Sequence, residues 1–166
     1  MSVSQIFKVS VNQTLTQLAA ILEKAATHAA SKSIPEEVFL NARLFPDMFA
    51  LTRQVQIASD IAMRGAARLS GGEVPTTSDN ETSFAQLIER VKKSRDAAMQ
   101  ADDAKIDANT NEILTVPMGP MTLQISGLRF LSLFVLPNLH FHSTTTYDIL
   151  RHNGVELGKM DYLGSF

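Results

Sequence analysis

Cysteine and tryptophan are absent from this 166-residue chain, and only 7% of its residues are aromatic. Without cysteine the protein cannot form a disulfide, a thiolate zinc site, an iron–sulfur cluster or a cysteine nucleophile. The chain also lacks a large excess of charge of one sign, since 15 basic residues against 17 acidic ones give a net charge of −2. We therefore expect neither nucleic acid nor a membrane as a partner.

Long apolar runs are missing as well. The longest apolar region, between Leu128 and Leu139, is interrupted by Arg129 and Pro137 and is shorter than the roughly 20 residues that cross a bilayer. The amino-terminal segment mixes polar and apolar residues, which is not the pattern of a signal peptide. We expect a cytoplasmic protein that folds as a single domain over residues 1–166, because this length suits one well-buried core.

The apolar residues that make up 45% of the chain recur with helical spacing in four long segments. The first segment begins with a capping-box pattern, Ser2 followed by Gln5 three residues later. The clearest loop, Ser70–Asn80, is rich in glycine, serine and threonine. The predicted helices span about Val3–Ala29, Pro46–Leu69, Thr82–Gln100 and Gly127–His152, with a short helical piece at about Pro35–Arg43.

The pattern changes between the third and fourth predicted helices. Two β-rich runs, Ile113–Val116 and Met121–Ile125, flank the turn sequence PMGP, which predicts a small β-hairpin or an extended crossover. Within the fourth helix, Pro137 must cost one backbone hydrogen bond, so we expect a kink there. The segments together predict an all-α protein, a four-helix bundle with a hairpin or extended segment before its last helix.

The charges of the third helix lie mainly in one basic run. It contains Arg90, Lys92, Lys93 and Arg95. Since such a run in a globular protein is usually a hydrated helix face, we predict that these side chains face solvent and do not bind nucleic acid.

Two polar residues, Asn138 and His142, fall on the apolar stripe of the fourth helix, one turn apart. The stripe is Leu131, Val135, Asn138, His142, Thr145 and Ile149. An unpaired polar group in a core costs about 1–3 kcal/mol, so both side chains need partners. Three interpretations are open: the two side chains satisfy each other and a neighbouring helix as part of the structure, they line a cavity, or they are the remnant of a metal site. Zinc and nickel sites need about three good ligands, and this stripe offers one histidine.

Two longer motifs resemble a known family. The run LPNLHFHSTTTYDILRHNGVELGKMDYLG and the upstream run RLFPDMFALTRQVQIASDIAMRGAARLSG closely resemble motifs of an uncharacterised bacterial domain-of-unknown-function family. Its bundle is similar to the DinB/YfiT-like superfamily. The resemblance spans essentially the whole chain in the same helix order. It implies a four-helix bundle with an up-down-down-up arrangement, often dimeric.

The resemblance also implies where a metal would bind. In the superfamily three histidines hold a divalent metal, one on helix two and two on helix four, ahead of an LR-x-x-G ending. Matching that ending to Leu150–Gly154 places the helix-four ligands at Asn138 and His142, and the helix-two ligand near Gln54 or Gln56. Only His142 keeps its histidine. Because amides in place of imidazoles weaken zinc or nickel binding, we expect no metal cofactor and no metal-dependent thiol-transferase chemistry.

These observations predict a metal-free, DinB-like bundle protein that binds a small molecule or a protein partner at a polar core pocket. One alternative is a metal-dependent transferase or hydrolase in which His142 helps to hold zinc, nickel or iron in a degenerate site. The other is a dimeric structural scaffold. We also predict a homodimer, because the outward faces of helices one and four carry little charge. The candidate pocket residues are Gln54, Gln56, Asn138, His142 and Tyr147.

Overall fold

The chain is mostly helical, with one small antiparallel hairpin ahead of its last long helix, as the sequence predicts. The computed structural model describes residues 2–165. The elements in this range are α1 (Val3–Ser31), α2 (Glu36–Leu40), α3 (Leu51–Leu69), α4 (Phe84–Met99), α5 (Asp103–Ala108), β1 (Ile113–Met118), β2 (Met121–Ser126), α6 (Gly127–Phe130), a π-helical turn (Leu131–Val135), α7 (Leu136–His152) and α8 (Lys159–Leu163).

The four long helices enclose the hydrophobic core. Helix α1 contacts α4 and α7, and α3 contacts the same two helices from the other side. None of the helices between residues 2 and 165 is both long and apolar enough to cross a membrane. The core is built from apolar side chains that recur every three or four residues, among them Phe7, Leu15, Leu22, Val55, Ala62, Leu87, Val91, Val135, Leu139 and Ile149.

Helix α1 is fastened at its start by side-chain hydrogen bonds. The Ser2 hydroxyl accepts from the Gln5 backbone N–H at 3.2 Å, and the Gln5 side chain accepts from the Ser2 N–H at 3.0 Å. This confirms the predicted capping box. In the same first turn, the Ser4 backbone N–H and hydroxyl both donate to the Asp107 carboxylate at 2.9 Å. The start of α1 is therefore tied to α5.

The second long helix begins at Leu51, and the predicted start at Pro46 is wrong. The residues around Pro46 form a turn instead, in which the Met48 N–H bonds to the Phe45 carbonyl at 3.0 Å. The Arg43 guanidinium donates to the Pro46 carbonyl at 3.3 Å and stabilises this turn. The preceding short helix is correspondingly shorter than predicted, and covers Glu36–Leu40.

The last long helix is not a continuous α-helix. Within the turn Leu131–Val135 the backbone hydrogen bonds change from the α-helical to the π-helical spacing, and the Leu136 N–H bonds to the Leu131 carbonyl five residues back. Pro137, which has no N–H to donate, follows directly. The prediction is a kink at Pro137 caused by one missing backbone hydrogen bond. In the structure, the irregularity takes the form of a π-helical turn just before this proline.

Strands β1 and β2 form a regular hairpin with a two-residue turn. Val116 pairs with Leu123 and Met118 with Met121. Gly119 in the turn has a φ of 58°, a conformation that glycine adopts without steric cost. Val116 is buried while Thr115, which points to the opposite face, is exposed, so one side of the hairpin packs against the protein, and both strands contact α6.

Candidate functional site

Gln54 of α3 and His142 of α7 meet inside the protein. The Nδ1 atom of His142 lies 2.7 Å from the Oε1 atom of Gln54, and the two residues are only 9% and 1% exposed. The other end of the Gln54 amide donates to the Phe49 carbonyl at 3.1 Å, which turns Oε1 towards the imidazole. Because an amide oxygen can only accept, the Nδ1 atom carries the proton and donates it.

The opposite ring nitrogen of His142, Nε2, has no hydrogen-bond partner among residues 2–165 and is not sealed from solvent. Burial, and then the positive charge of Arg53, lower the pKa of His142 below its ordinary 6.5. The imidazole is therefore neutral at pH 7, and Nε2 carries a lone pair. The Phe141 ring stands edge-on to the imidazole, with centroids 5.2 Å apart. This corner offers one hydrogen-bond acceptor beside an aromatic surface.

Asn138 points its amide along its own helix. Its side-chain N–H donates to the Phe134 carbonyl one turn earlier, at 2.7 Å, and the residue is half-buried. Such a bond satisfies one of the two amide N–H groups locally. Asn138 makes no hydrogen bond to Gln54 or His142 in the described part of the chain.

Gln56 and Tyr147 have partners of their own. The Gln56 amide donates to Glu81 at 2.8 Å and accepts from Arg53 at 3.3 Å. The Tyr147 ring packs edge-on against Tyr162 of α8, with centroids 6.2 Å apart. Of the five candidate pocket residues, the structure brings together Gln54 and His142 and gives the other three separate partners.

A buried arginine cluster lies next to this corner, and sequence reasoning missed it. Arg90 of α4 is only 7% exposed. Its guanidinium contacts the carboxylates of Asp60 at 2.7 Å, Asp79 at 2.9 Å and Glu81 at 2.8 Å. The prediction that the basic run of α4 faces solvent is therefore wrong at Arg90, because α3 and the following loop supply three acceptors for it. A signal was available in Asp60, a lone acidic residue within α3.

Two carboxylates of this cluster, those of Glu81 and Asp79, are held ionised. Burial alone would raise the pKa of Glu81, but hydrogen bonds from Arg90 and Gln56 outweigh it and keep that pKa below its usual value. The pKa of Asp79 is lowered in the same way, because Arg53 and Arg90 overcome its burial. Arg53 approaches Asp79 at 2.5 Å. The loop that follows α3 is thus fastened to α3 and α4 by charged pairs.

The side chains at the Gln54–His142 corner do not fit a three-ligand metal site. No group of three or more histidine, cysteine, aspartate or glutamate side chains in residues 2–165 is placed to hold a metal ion. At the corner, only the Nε2 atom of His142 has a free nitrogen lone pair. The Gln54 oxygen already accepts a hydrogen bond, and the Asn138 amide donates to a backbone carbonyl.

Comparisons with known proteins agree with the motifs. The family model described as domain of unknown function DUF1993 matches residues 5–163. The crystal structure of a DinB family member protein from Shewanella denitrificans is 40% identical, covers 96% of this chain and 90% of that one, and has a TM-score of 0.87. No protein with a curated description matches the sequence. These findings confirm the resemblance, and the chain belongs to the DUF1993 family of DinB-like proteins.

Proposed function

We propose that this protein is a metal-free, DinB-like four-helix bundle of up-down-down-up arrangement that binds a small molecule at the Gln54–His142 corner. The observation that carries this proposal is the fixed orientation of the His142 imidazole. Its Nδ1–H is held by Gln54 at 2.7 Å, and Nε2 is left to accept a hydrogen bond from a ligand. A preoriented hydrogen-bonding group beside an exposed aromatic side chain is typical of ligand sites.

The hydrogen bonds of the two amides support the metal-free state. A metal bound to the Oε1 atom of Gln54 would compete for that oxygen with the Nδ1–H group of His142, and turning the Asn138 amide towards a metal would break its bond to the Phe134 carbonyl. Each buried polar group left unpaired costs about 1–3 kcal/mol. Amide oxygens bind zinc and nickel poorly and do not repay this cost.

The aromatic residues beside the corner indicate what kind of ligand fits. The side chains of Phe49 and Phe141 are exposed, although Phe49 bonds to Gln54 through its carbonyl and Phe141 contacts the imidazole. Exposed aromatic rings next to a hydrogen-bond acceptor suit a molecule with an apolar ring and a hydroxyl or amine donor. We propose this class of ligand.

The metal-free state is tested by elemental analysis of protein purified without a histidine tag. We expect zinc, nickel and iron far below one atom per chain. The matched variants are His142→Ala and His140→Ala, since His140 is exposed two residues away. Near-stoichiometric metal that is lost in His142→Ala but kept in His140→Ala would contradict the proposal and favour a metal-dependent transferase or hydrolase.

Ligand binding is tested with phenol, which has a donor, and anisole, which lacks one, in thermal-shift titrations. We expect phenol to raise the melting temperature of the parent protein and of His140→Ala, but not of His142→Ala. Anisole should have a smaller effect because it cannot donate to Nε2. Equal effects of phenol on the parent and His142→Ala would contradict the proposal, as would no effect on the parent.

We also propose a homodimer. Leu128 and Leu133 on the last long helix and Val9 on α1 are large apolar side chains exposed to solvent. Covering such side chains with a second copy removes apolar area from water. Exposed apolar side chains are thus present on both faces predicted from their low charge, that of helix one and that of helix four.

A further inference from the structure

A small cleft lies between α3, strand β1 and the start of the last long helix. It has a volume of about 210 Å³, and three arginines of α3, Arg53, Arg64 and Arg68, line it. The opposite side is apolar and includes Phe130 and Phe134. The cleft therefore combines a cationic side with an apolar side.

The cationic side is only partly neutralised by the described residues. The only acidic residue lining the cleft is Asp60, which already contacts Arg90 at 2.7 Å and Arg64 at 3.1 Å. Arg53 is paired with Asp79 and Arg64 with Asp60, so the unpaired positive charge of the cleft is that of Arg68, in a chain whose net charge is −2. An unpaired guanidinium beside a second one attracts an anion.

Among the arginines that line the cleft, Arg68 is the one whose guanidinium has no partner within residues 2–165. Across residues 2–165 its guanidinium makes neither an ion pair nor a side-chain hydrogen bond, whereas Arg64 is paired with Asp60. Burial, and then the charge of Arg64 one helical turn away, lower the pKa of Arg68. Arg64 in turn leaves its buried Nε–H without an acceptor. An anion between the two guanidinium groups would offset their repulsion.

The apolar side is formed by two stacked rings. The centroids of Phe130 and Phe134 lie 5.4 Å apart with an interplanar angle of 17°. Val116 and Pro117 of strand β1 also line the cleft. This surface suits a flat or short apolar group, which a strongly hydrated inorganic anion does not have.

We propose that this cleft binds a small carboxylate with an aromatic or short aliphatic body, its carboxylate on Arg64 and Arg68 and its body against Phe130 and Phe134. The planar guanidinium fork matches a carboxylate in two parallel hydrogen bonds. A volume of about 210 Å³ equals about seven water molecules in the liquid, enough for a ring bearing one carboxylate. The proposal is independent of the Gln54–His142 corner, because neither residue lines the cleft.

The experiment is an NMR titration of the full chain with benzoate, and with benzamide as its neutral counterpart. We expect saturable shifts in the backbone amides of residues 57–68 and 130–135. Benzamide should bind at least about tenfold more weakly, and Arg68→Gln should weaken benzoate binding by a similar factor. Arg151→Gln, at an exposed arginine near the end of α7, and His142→Ala should bind benzoate like the parent.

Several outcomes would overturn the proposal. These are no saturable benzoate shift, equal binding of benzoate and benzamide, unchanged binding in Arg68→Gln, or inorganic phosphate binding as tightly as benzoate. If His142→Ala weakened benzoate binding as much as Arg68→Gln does, the cleft would not be a binding site separate from the Gln54–His142 corner. Phenol and benzoate report on different residues, so failure at the corner and failure at the cleft are distinguishable. The backbone spectrum of Arg68→Gln shows directly whether that variant folds.

Discussion

At the scale of single residues, the amide of Gln54 determines the state of His142. Its oxygen accepts from the imidazole and its nitrogen donates to the Phe49 carbonyl, so the amide cannot turn over without breaking both bonds. Asn138, one turn from His142, makes only a local bond. The two amide side chains thus differ in role because the Gln54 amide faces the imidazole of another helix, whereas the Asn138 amide bonds to its own helix.

Replacement of Gln54 by leucine should destabilise the protein. The Gln54→Leu variant leaves the buried Nδ1–H of His142 and the Phe49 carbonyl without partners. We expect the free energy of unfolding to fall by about 1–3 kcal/mol, measured by urea denaturation. The control is Gln100→Leu, at an exposed residue, which should change it by less than about 0.5 kcal/mol. Equal effects in the two variants would show that the Gln54–His142 bond does not contribute.

The lowered pKa of His142 makes stability depend on pH. Since the pKa is lower in the folded protein than the ordinary 6.5, the unfolded chain takes up the proton first as the pH falls. The stabilisation is therefore complete above about pH 6.5 and is lost progressively at lower pH. Urea denaturation at about pH 7 and about pH 5 measures this loss. It should be smaller in His142→Gln, and an undiminished loss would contradict the assignment.

At the scale of elements, one arginine attaches the loop between α3 and α4 to both helices. Arg90 contacts Asp60 on α3 and reaches Asp79 and Glu81 beyond the glycine pair of the loop. It also donates to the Ser78 carbonyl at 2.9 Å. The loop is long, but its second half is held by charge-assisted hydrogen bonds and not by apolar packing.

Removal of Arg90 should release this loop. In Arg90→Met the three carboxylates lose their shared cation, and breaking a buried ion pair in this way costs about 3–5 kcal/mol. Urea denaturation and limited proteolysis of the loop measure the effect. The matched control is Lys92→Met on the same helix, where an exposed pair with Glu23 is lost. We expect a change below about 0.5 kcal/mol in the control, and similar values for both variants would contradict the role of Arg90.

At the scale of the whole molecule, the predicted elements follow from local pattern. Apolar spacing places the four long helices, and the two β-rich runs around Gly119 place the hairpin. Such signals need only neighbouring residues. The start of α3 is different, because Pro46 is a good first-turn residue and yet lies in a turn closed by Phe45 and Met48.

The candidate site could be predicted only in part, since its contacts join distant residues. Counting along the family motif gives Gln54 or Gln56 for helix two, and only the structure distinguishes them. Two residues correspond to about 200° around a helix, so one side chain meets His142 and the other meets Glu81. Asp60 indicates that α3 needs a cationic partner, but the sequence does not show which one, because Arg90 lies 30 residues away.

The proposed homodimer is a property of the whole molecule and is tested by light scattering at micromolar concentration. We expect twice the chain mass for the parent protein. Leu133→Glu should shift it towards the monomer if the last helix forms the interface, because a charge would be buried there. Val9→Glu probes the α1 face in the same way and serves as the matched comparison. A monomeric parent protein would contradict the proposal.

The π-helical turn of the last long helix has a consequence for the phase between its two halves. A π-turn amounts to one extra residue, and one residue advances a helix by about 100°. The turn at Leu131–Val135 holds one residue more than an α-helical turn, so Phe130 and the residues before it face about 100° away from where α-helical counting back from His142 would place them. Because the extra residue is absorbed within the turn, deleting one residue there should give a regular α-helix and leave the hairpin in nearly the same orientation.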